Sequence, residues 1–381
     1  MSNIAVLTTG RQDWGILRNV CSLLNHSVLH DLTLIAGGMH MSKRHGYTYR
    51  YMEEEGFKIS HKLKWIADKE PSFPGNESAL ALSTLYNVFS TSRPDALMLV
   101  GDRYETLSAA QAATLAKLPI IHIHGGEETL GAIDNLFRNA ISKMAHLHFT
   151  SHEKHSLRLI RMGENPEIIY NVGAPGLDNS YLLGEINRDA LEKHLEIELD
   201  DPIIIITLHP VTSSGDPVKE ALAIHDAIRY IDATFIVTLP NTDPQNEVLR
   251  DIMLEMCKFP KRLAVEALGE KRYWALMRIA SCMCGNSSSG IIEAPFLKLP
   301  VVNIGDRQRG RERGENVIDV NPNATDIKDA IELALSDGFK KALVNSRSPY
   351  GEGNSSKKII DILDKWEVPA DISKASIYNL Q

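Results

Sequence analysis

Apolar runs of strand length recur along the chain and are separated by amphipathic segments long enough to form helices. The first half contains NIAVLTT, DLTLIAGG, DALMLVGD, LPIIHIHGG and LHFTS, and the second half contains PIIIITLHP, TFIVTLPN, RLAVEAL, CMCGNSSS and PVVNIGD. Because these runs do not alternate with polar residues, each strand should be buried on both faces, as in parallel sheets covered by helices. The pattern predicts an α/β protein with two Rossmann-like, doubly wound domains that face a central cleft.

A change in composition predicts where the two domains join. Gly, Pro and acidic residues interrupt the strand rhythm over residues 173–202, as is usual at domain boundaries. We therefore expect one domain over residues 1–175 and a second over residues 176–357. The length of 381 residues suits two domains better than one core.

Charge and cysteine content limit the binding partners and the cellular compartment that we expect. The net charge of −8 is not offset by a basic block, which argues against nucleic acid or an anionic membrane as a partner. The four cysteines show no CxxC spacing, which fits a reducing cytoplasm. The N-terminus lacks a basic region followed by an apolar stretch, and no run approaches ~18 apolar residues. We expect neither a signal peptide nor a membrane span.

Polar residues follow nearly every predicted strand. The carboxyl ends of parallel strands share one edge of a sheet, so these residues should converge in space. They are Gly10 and Arg11, Asp102 and Arg103, His124 to Glu127, His209, Asn241, and Asn286 to Ser289.

GNSSSGIIEAP, residues 285–295, is typical of a strand that turns into a helix. Hydroxyls and backbone N–H groups of Ser287, Ser288 and Ser289 at a helix start suit a phosphate or diphosphate, and Glu293 could accept hydrogen bonds from ribose. The alternative is that these serines only cap the helix. Three consecutive serines ending in glycine favour the phosphate interpretation.

Two other strand ends leave alternatives open. TTGRQDWG, residues 8–15, is not a GxGxxG turn, so a dinucleotide site is not expected; Arg11 either meets a phosphate or base, or pairs with Asp13. In VGDRYE, Asp102 is a base, a stabiliser of positive charge or a helix cap.

Two histidine pairs, His122/His124 and His146/His148, have i, i+2 spacing and so share one side of a strand. A zinc site would need a third converging ligand, and no HExxH or CxxC set supplies it. We expect no metal. We expect one histidine of each pair to reach the cleft and the other to hydrogen-bond inside the protein.

These motifs together resemble the UDP-N-acetylglucosamine 2-epimerases, in particular the hydrolysing branch found in sialic and legionaminic acid biosynthesis. The resemblance covers almost the whole chain and rests on GDRYE, HIHGGEETLGAID, RNAISKMAHLHF, LHP, LPNTDP, GNSSSGIIEAP, VVNIGDRQRGRERGENV and PYGEGNSSKKI. It implies the GT-B fold, in which the last helix, about residues 358–381, returns to the first domain. It also implies a homodimer or homotetramer that binds a UDP-sugar.

Carried over position by position, the resemblance implies a set of site residues. Those that would hold UDP or substrate are Arg11, Asp13, Arg103, Asn241, Asp243, Ser287, Ser288, Ser289, Glu293 and Arg307. Those that would act on the sugar or the leaving diphosphate are Asp102, His124, Glu127, Asp134 and His209. The chain departs from the family pattern at Asn135 and Asn139, where a carboxylate and an imidazole are usual.

The chemistry explains why such a site needs carboxylates. The C2 proton of an N-acetylated pyranose is not acidic, and it becomes removable when C1–O cleavage places positive charge on C1, which carboxylates stabilise. Anti elimination of UDP followed by hydration of the 2-acetamidoglucal requires no metal or redox cofactor. UDP-N-acetylglucosamine is the first expected substrate and a UDP-2,4-diacetamido-2,4,6-trideoxy sugar the second. A GT-B glycosyltransferase and a non-catalytic UDP-sugar sensor are the alternatives.

Overall fold

The computed structural model describes residues 1–68, 73–129, 133–209, 216–240, 246–266, 268–374 and 377. The chain divides into two compact units. Unit 1 comprises Met1–Glu127, Ile133–Asn179 and Gly351–Gln381, and unit 2 comprises Glu128–Ala132 and Ser180–Tyr350.

Unit 1 is built on a seven-stranded parallel sheet with the strand order β3-β2-β1-β4-β5-β6-β7. Its registers pair Ile4 with Ala96 and Leu97 with Ile120, which places the ends of neighbouring strands side by side. The strands are β1 Ser2–Thr8, β2 His30–Gly37, β3 His61–Leu63, β4 Ala96–Val100, β5 Ile120–Ile123, β6 Leu147–Thr150 and β7 Ile169–Asn171.

Helices cover both faces of this sheet. They are α1 Arg11–Asn25, α2 Tyr49–Glu54, α3 Pro74–Ser92, α4 Tyr104–Leu115, α5 Asp134–Met144 and α6 Glu153–Arg161. In α1, Trp14, Leu17, Cys21 and Leu24 are buried, at the helical spacing expected of a helix that packs one face on a sheet. Apart from Glu105, the buried residues of α4 are alanines and other small residues, which let the helix pack closely.

A helix from the end of the chain completes unit 1. It runs from Ser355 to Leu363, so it is shorter than the helix expected over residues 358–381. The Asp178 carboxylate accepts hydrogen bonds from the first two N–H groups of this helix, those of Ser355 and Ser356, at 2.9 and 2.5 Å. Ile359 and Leu363 are buried in the same apolar cluster as α1. We refer to this helix as α14.

Unit 2 repeats the plan with a six-stranded parallel sheet in the order β10-β9-β8-β11-β12-β13. The strands are β8 Ile203–Thr207, β9 Thr234–Thr238, β10 Arg262–Val265, β11 Cys282–Gly285, β12 Val301–Ile304 and β13 Val317–Val320. The helices are α7 Arg188–Leu195, α8 Pro217–Ala227, α9 Glu247–Met256, α10 Glu270–Ile279, α11 Ser289–Ile292, α12 Ala324–Leu335 and α13 Asp337–Ala342. A single apolar cluster joins the strands to α8, α9 and α12.

The predicted fold class of two parallel-sheet α/β domains is confirmed. All ten apolar runs form strands. The sequence pattern missed three short strands, β3, β7 and β13, which lie at sheet edges and whose residues are only half-buried or exposed. An edge strand with solvent-accessible faces does not need a continuous apolar run. Within the described ranges, no helix is long and apolar enough to cross a membrane.

Candidate functional site

In unit 1, the candidate residues lie where β1, β4, β5 and β6 end. These four strands are neighbours in the sheet, so their carboxyl ends bring four separate stretches of sequence to one edge, as expected for an α/β sheet. The polar side chains at this edge form three groups, centred on Asp102, on Arg103 and on His124.

Asp102 follows β4 and forms an ion pair with Arg138 of α5. The Arg138 side chain is 4% exposed and that of Asp102 is 22% exposed, so the carboxylate lies between a buried cation and more open space. Arg138 also donates to Asn135 at 3.4 Å. The N-cap residue of α4 is Arg103, and no side chain caps this helix. Asp102 therefore forms an ion pair and does not cap α4.

Asp134 is the first residue of α5 and is half-buried. Burial raises the pKa of its carboxyl group, and the negative charge of Asp102 raises it further. A carboxyl group with a raised pKa is suited to carrying a proton. Asn135 and Asn139, the departures from the family pattern, lie on the same helix, and Asn139 is exposed.

Arg103 is held in place by Glu105. The guanidinium donates to both carboxylate oxygens of Glu105 at 3.1 and 2.9 Å, and Glu105 is fully buried. This bidentate pairing fixes the plane of the guanidinium. About a third of the Arg103 side chain, 31%, stays exposed.

Among the described residues, Arg11 and Asp13 contact different groups and not each other. The Asp13 carboxylate is buried and accepts from the backbone N–H and the hydroxyl of Thr9 at 2.8 and 2.6 Å. Burial raises its pKa, against the effect of the Thr9 hydroxyl. Arg11 is exposed, with its guanidinium 5.6 Å from the centre of the Tyr51 ring. Asp13 therefore stabilises the turn after β1, and Arg11 remains open to an anionic or planar ligand.

His124 and Glu127 form a hydrogen-bonded pair after β5. The Nδ1 atom of His124 contacts the Glu127 carboxylate, and its Nε2 atom is buried without a hydrogen-bond partner among the described residues. Glu127 also accepts from the Ser151 hydroxyl at 2.6 Å, and Ser151 contacts Nδ1 of His155 at 3.0 Å. A carboxylate on Nδ1 fixes the tautomer in which Nε2 carries the lone pair.

The backbone of this stretch is constrained. His124 has a φ of +66° and Gly126 a φ of +74°, in the left-handed region that favours glycine. A Cβ atom at Gly126 would lie 2.3 Å from the carbonyl oxygen of His155. The glycines of HIHGGE therefore let the chain pass against α6, and they bring His124 back towards β6.

The other three histidines of the two pairs have hydrogen-bond partners within unit 1. His122 contacts the Gly101 carbonyl at 2.8 Å and Ser142 at 3.1 Å, and burial lowers its pKa to about 3. His148 contacts Glu164 at 3.3 Å. His146 accepts from the Ile120 N–H at 3.1 Å and contacts the Ile372 carbonyl at 3.0 Å. His122 and His148 are fully buried, whereas His146 is half-buried; which histidine of each pair reaches the cleft stays a prediction.

In unit 2, Asn286 connects three strand ends. Its side chain accepts from the His209 N–H at 2.8 Å and donates to the His209 carbonyl at 2.9 Å and to Glu220 at 3.2 Å. Its own carbonyl accepts from Arg307 at 2.9 Å and from Gln308 at 2.8 Å. The preceding Gly285 is required, because a Cβ atom there would lie 2.0 Å from the Thr207 carbonyl.

This network fixes the positions of His209 and Arg307 next to Asn286. Burial lowers the pKa of His209 to about 4, and the charge of Arg307 acts in the same direction. Burial lowers the pKa of Arg307 to about 10, so the guanidinium is charged and the imidazole neutral near pH 7. The pair offers one full positive charge and one neutral hydrogen-bonding ring to an anion.

The serine cluster lies on a shorter element than expected. α11 begins at Ser289 and ends at Ile292, so a helix macrodipole contributes little here, and any anion would be bound by local hydroxyl and N–H groups. The Tyr273 hydroxyl hydrogen-bonds with Ser289, Thr207 and Ser287. Burial raises the pKa of Tyr273 to about 12. Glu293 follows α11 and is half-buried.

Two predicted residues, Asn241 and Asp243, lie outside the described residues. Among the residues that the structure does describe, no group of three or more His, Cys, Asp or Glu side chains could hold a metal ion.

Several residues near these strand ends were not predicted as site residues. Glu105, Arg138 and Ser151 contact a predicted site residue through a side chain, Glu220 contacts Asn286, and His155 contacts Ser151. Four of them lie on helices, where a polar residue that faces inwards looks in sequence like any residue of a solvated face. Glu105, two residues after Arg103, and Ser151, directly after β6, had a local signal.

Comparison with known proteins gives three similarities. A family model described as UDP-N-acetylglucosamine 2-epimerase matches residues 24–364. The chain is 38% identical over 345 residues to a GDP/UDP-N,N'-diacetylbacillosamine 2-epimerase (hydrolyzing) of Campylobacter jejuni, covering 89% of this chain and 88% of the other. It is 34% identical over 362 residues to a UDP-N,N'-diacetylbacillosamine 2-epimerase (hydrolyzing) of Legionella pneumophila, covering 94% and 95%.

A solved structure supports the fold. The crystal structure of UDP-GlcNAc 2-epimerase from Neisseria meningitidis bound to UDP-GlcNAc matches with a TM-score of 0.84 at 20% sequence identity, over 95% of this chain and 100% of the other. At that identity the match bears on the fold alone.

Proposed function

This chain belongs to the UDP-N-acetylglucosamine 2-epimerase family, and we propose that it is a hydrolysing UDP-sugar 2-epimerase whose substrate carries an acetamido group at C2. The reaction inverts C2 and releases UDP and the free 2-epimer. The names of the relatives at 38% and 34% identity support the hydrolysing outcome.

One observation from the structure carries the proposal: Asp102 forms an ion pair with Arg138, one helical turn after Asp134 on α5, so two carboxyl groups lie at the same strand ends. The charge of Asp102 raises the pKa of Asp134. A pair of carboxylates suits a reaction in which positive charge develops on C1. In this mechanism, Asp102 stabilises that charge while Arg138 keeps the carboxylate in position. A glycosyltransferase would leave the pair without a function.

Inversion at C2 needs a proton to leave one face of the ring and another to arrive on the opposite face. We assign removal to Nε2 of His124, because Glu127 holds the proton on Nδ1 and leaves the lone pair on Nε2. We assign delivery to Asp134, whose raised pKa suits a proton carrier. The C2–H and C1–O bonds break, the C1–C2 double bond forms, and UDP leaves with the electron pair. Water then adds to C1 as C2 is protonated.

The residues of unit 2 are assigned to UDP. Arg307 and the neutral His209 would bind the leaving diphosphate, and the hydroxyls of Ser287, Ser288 and Ser289 would add donors to its oxygens. Glu293 would accept from ribose. Arg11 and Arg103 of unit 1 are cations that we assign to the substrate.

The substrate has two candidates. The sequence alone favours UDP-N-acetylglucosamine, whereas the printed names of the two relatives favour a UDP-2,4-diacetamido-2,4,6-trideoxy sugar. We propose the diacetamido sugar as the better substrate, because those two relatives match this chain over most of both lengths. Comparison of kcat/KM for the two UDP-sugars tests this choice, and a higher value for UDP-N-acetylglucosamine would reverse it.

The function is tested by incubating the protein with each UDP-sugar in deuterated water and analysing the product by proton NMR. We expect free sugar with inverted configuration and deuterium at C2, together with an equal amount of UDP. EDTA should not change the rate. Retention of hydrogen and configuration at C2 would indicate a glycosyltransferase, and binding without product would indicate a sensor. Labelled sugar still attached to UDP would indicate epimerisation without hydrolysis.

A further inference from the structure

A chain of hydrogen bonds extends from His124 away from its reactive nitrogen. His124 contacts Glu127, Glu127 accepts from Ser151, and Ser151 contacts His155 of α6. His124, Glu127, Ser151 and His155 are all buried. Burying a chain of polar groups lowers the stability of the fold unless each group has a hydrogen-bond partner.

The direction of each hydrogen bond follows from the number of protons. Ser151 has one hydroxyl proton and donates it to the Glu127 carboxylate, which can only accept. The Ser151 oxygen must then accept from Nδ1–H of His155. His155 is therefore a neutral imidazole with its proton on Nδ1, and burial, which lowers its pKa to about 4, agrees with that state. The Glu127 carboxylate accepts from Nδ1–H of His124 in the same way.

We propose that Ser151 and His155 are positioning residues for the reaction: they hold the Glu127 carboxylate so that it fixes the tautomer and orientation of His124. The inference rests on the proposed function, because it gives these residues a role only if His124 takes a proton from the substrate. It adds two residues that were not predicted from the sequence. Ser151 follows β6 directly and His155 lies one helical turn further along.

Removing the Ser151 hydroxyl leaves the Glu127 carboxylate less firmly held. Without this donor the carboxylate loses one of the contacts that fix its orientation, so it no longer keeps the His124 proton on Nδ1 alone. Other charged and titratable groups near the chain are Arg138 on α5, His122 on β5, and Arg158 and His152 on α6. They are unchanged by the substitution, so a change in the His124 tautomer reports on Ser151.

The protein offers a matched control. Ser142 is also fully buried, and its hydroxyl contacts a histidine, Nδ1 of His122, at 3.1 Å. Ser142→Ala thus removes a buried Ser–His hydrogen bond of the same kind that is not bonded to Glu127. Ser151→Thr keeps the hydroxyl and serves as the conservative variant.

The test is the ¹⁵N NMR spectrum of labelled histidine, with the His124 resonances assigned from a His124→Asn variant, alongside kcat. We expect the unmodified protein to show His124 with its proton on Nδ1. Ser151→Ala should bring in signals of the tautomer with the proton on Nε2 and lower kcat about 10- to 100-fold. Ser142→Ala and Ser151→Thr should give the spectrum of the unmodified protein.

An unchanged His124 tautomer in Ser151→Ala would overturn the inference. If that variant does not fold, as judged by circular dichroism, His155→Leu removes the N–H that orients the Ser151 hydroxyl, and the same reading of His124 applies. The NMR measurement needs no turnover. Absence of any product from the unmodified protein refutes the proposed function, whereas an unchanged tautomer refutes the positioning roles alone.

Discussion

Glu220→Gln should stabilise unit 2 at alkaline pH and much less in acid. Glu220 is 3% exposed, and burial raises its pKa from 4.5 to about 7. That value includes the charges of Asp216 and Asp306, which act in the same direction as burial, and the hydrogen bond with Asn286 and the charge of Arg307, which oppose the shift. A glutamine of nearly the same shape can still accept from Asn286 without carrying the charge.

The direction of the pH effect on stability follows from proton binding by the folded and unfolded states. The unfolded chain titrates Glu220 near its ordinary value of 4.5, and the folded protein near 7. Between these values the folded state binds more protons, so a rise in pH through this window lowers the free energy of unfolding. The penalty is about 1 kcal/mol at pH 5.5 and about 3 kcal/mol at pH 8.5. The stabilisation by Glu220→Gln should therefore grow by about 2 kcal/mol between these two pH values.

The assay is denaturant unfolding at both pH values, with hydrogen exchange of β8 and β11 peptides as the readout. These strands report on unit 2 separately, which matters because a protein of two units need not unfold in one step. Glu332→Gln, at an exposed position of α12, is the control and should change stability equally at both pH values. A Glu220→Gln effect that is the same at pH 5.5 and pH 8.5 would refute the reasoning.

Three further substitutions test the proposed site. Arg307→Ala should weaken UDP binding by about 1.5–3 kcal/mol, the value of a hydrogen bond to a charged group. Calorimetry measures the change, with Arg309→Ala at an exposed position as the control. An unchanged Kd would remove Arg307 from the site. Asp102→Asn should retain UDP binding but lose most turnover, because an amide cannot stabilise positive charge at C1; normal turnover would leave Asp102 only its ion pair with Arg138. His124→Asn should abolish deuterium incorporation at C2, and normal incorporation would assign proton removal to another group.

The sequence by itself determined the strands and the strand ends at which polar residues lie. Continuous apolar runs identify strands buried on both faces, and each of the ten runs forms one. Since parallel strands end at one edge, polar residues after those runs were predictable as neighbours. Asp102, His124 and His209 follow strands in the structure, and His124 contacts Glu127; their roles stay predictions.

Tertiary structure alone decided the partners of those residues. Nothing in the spacing of Asp102 and Arg138 predicts their ion pair, because it forms only when α5 packs beside β4. The same holds for Ser151 with Glu127, and for Glu220 with Asn286. His146 and His148 have the same spacing as His122 and His124, yet their partners are the Ile372 carbonyl and the Glu164 carboxylate, which the spacing does not predict. Local pattern sets which residues reach a strand end, whereas pairing, burial and pKa depend on groups brought close from distant parts of the chain.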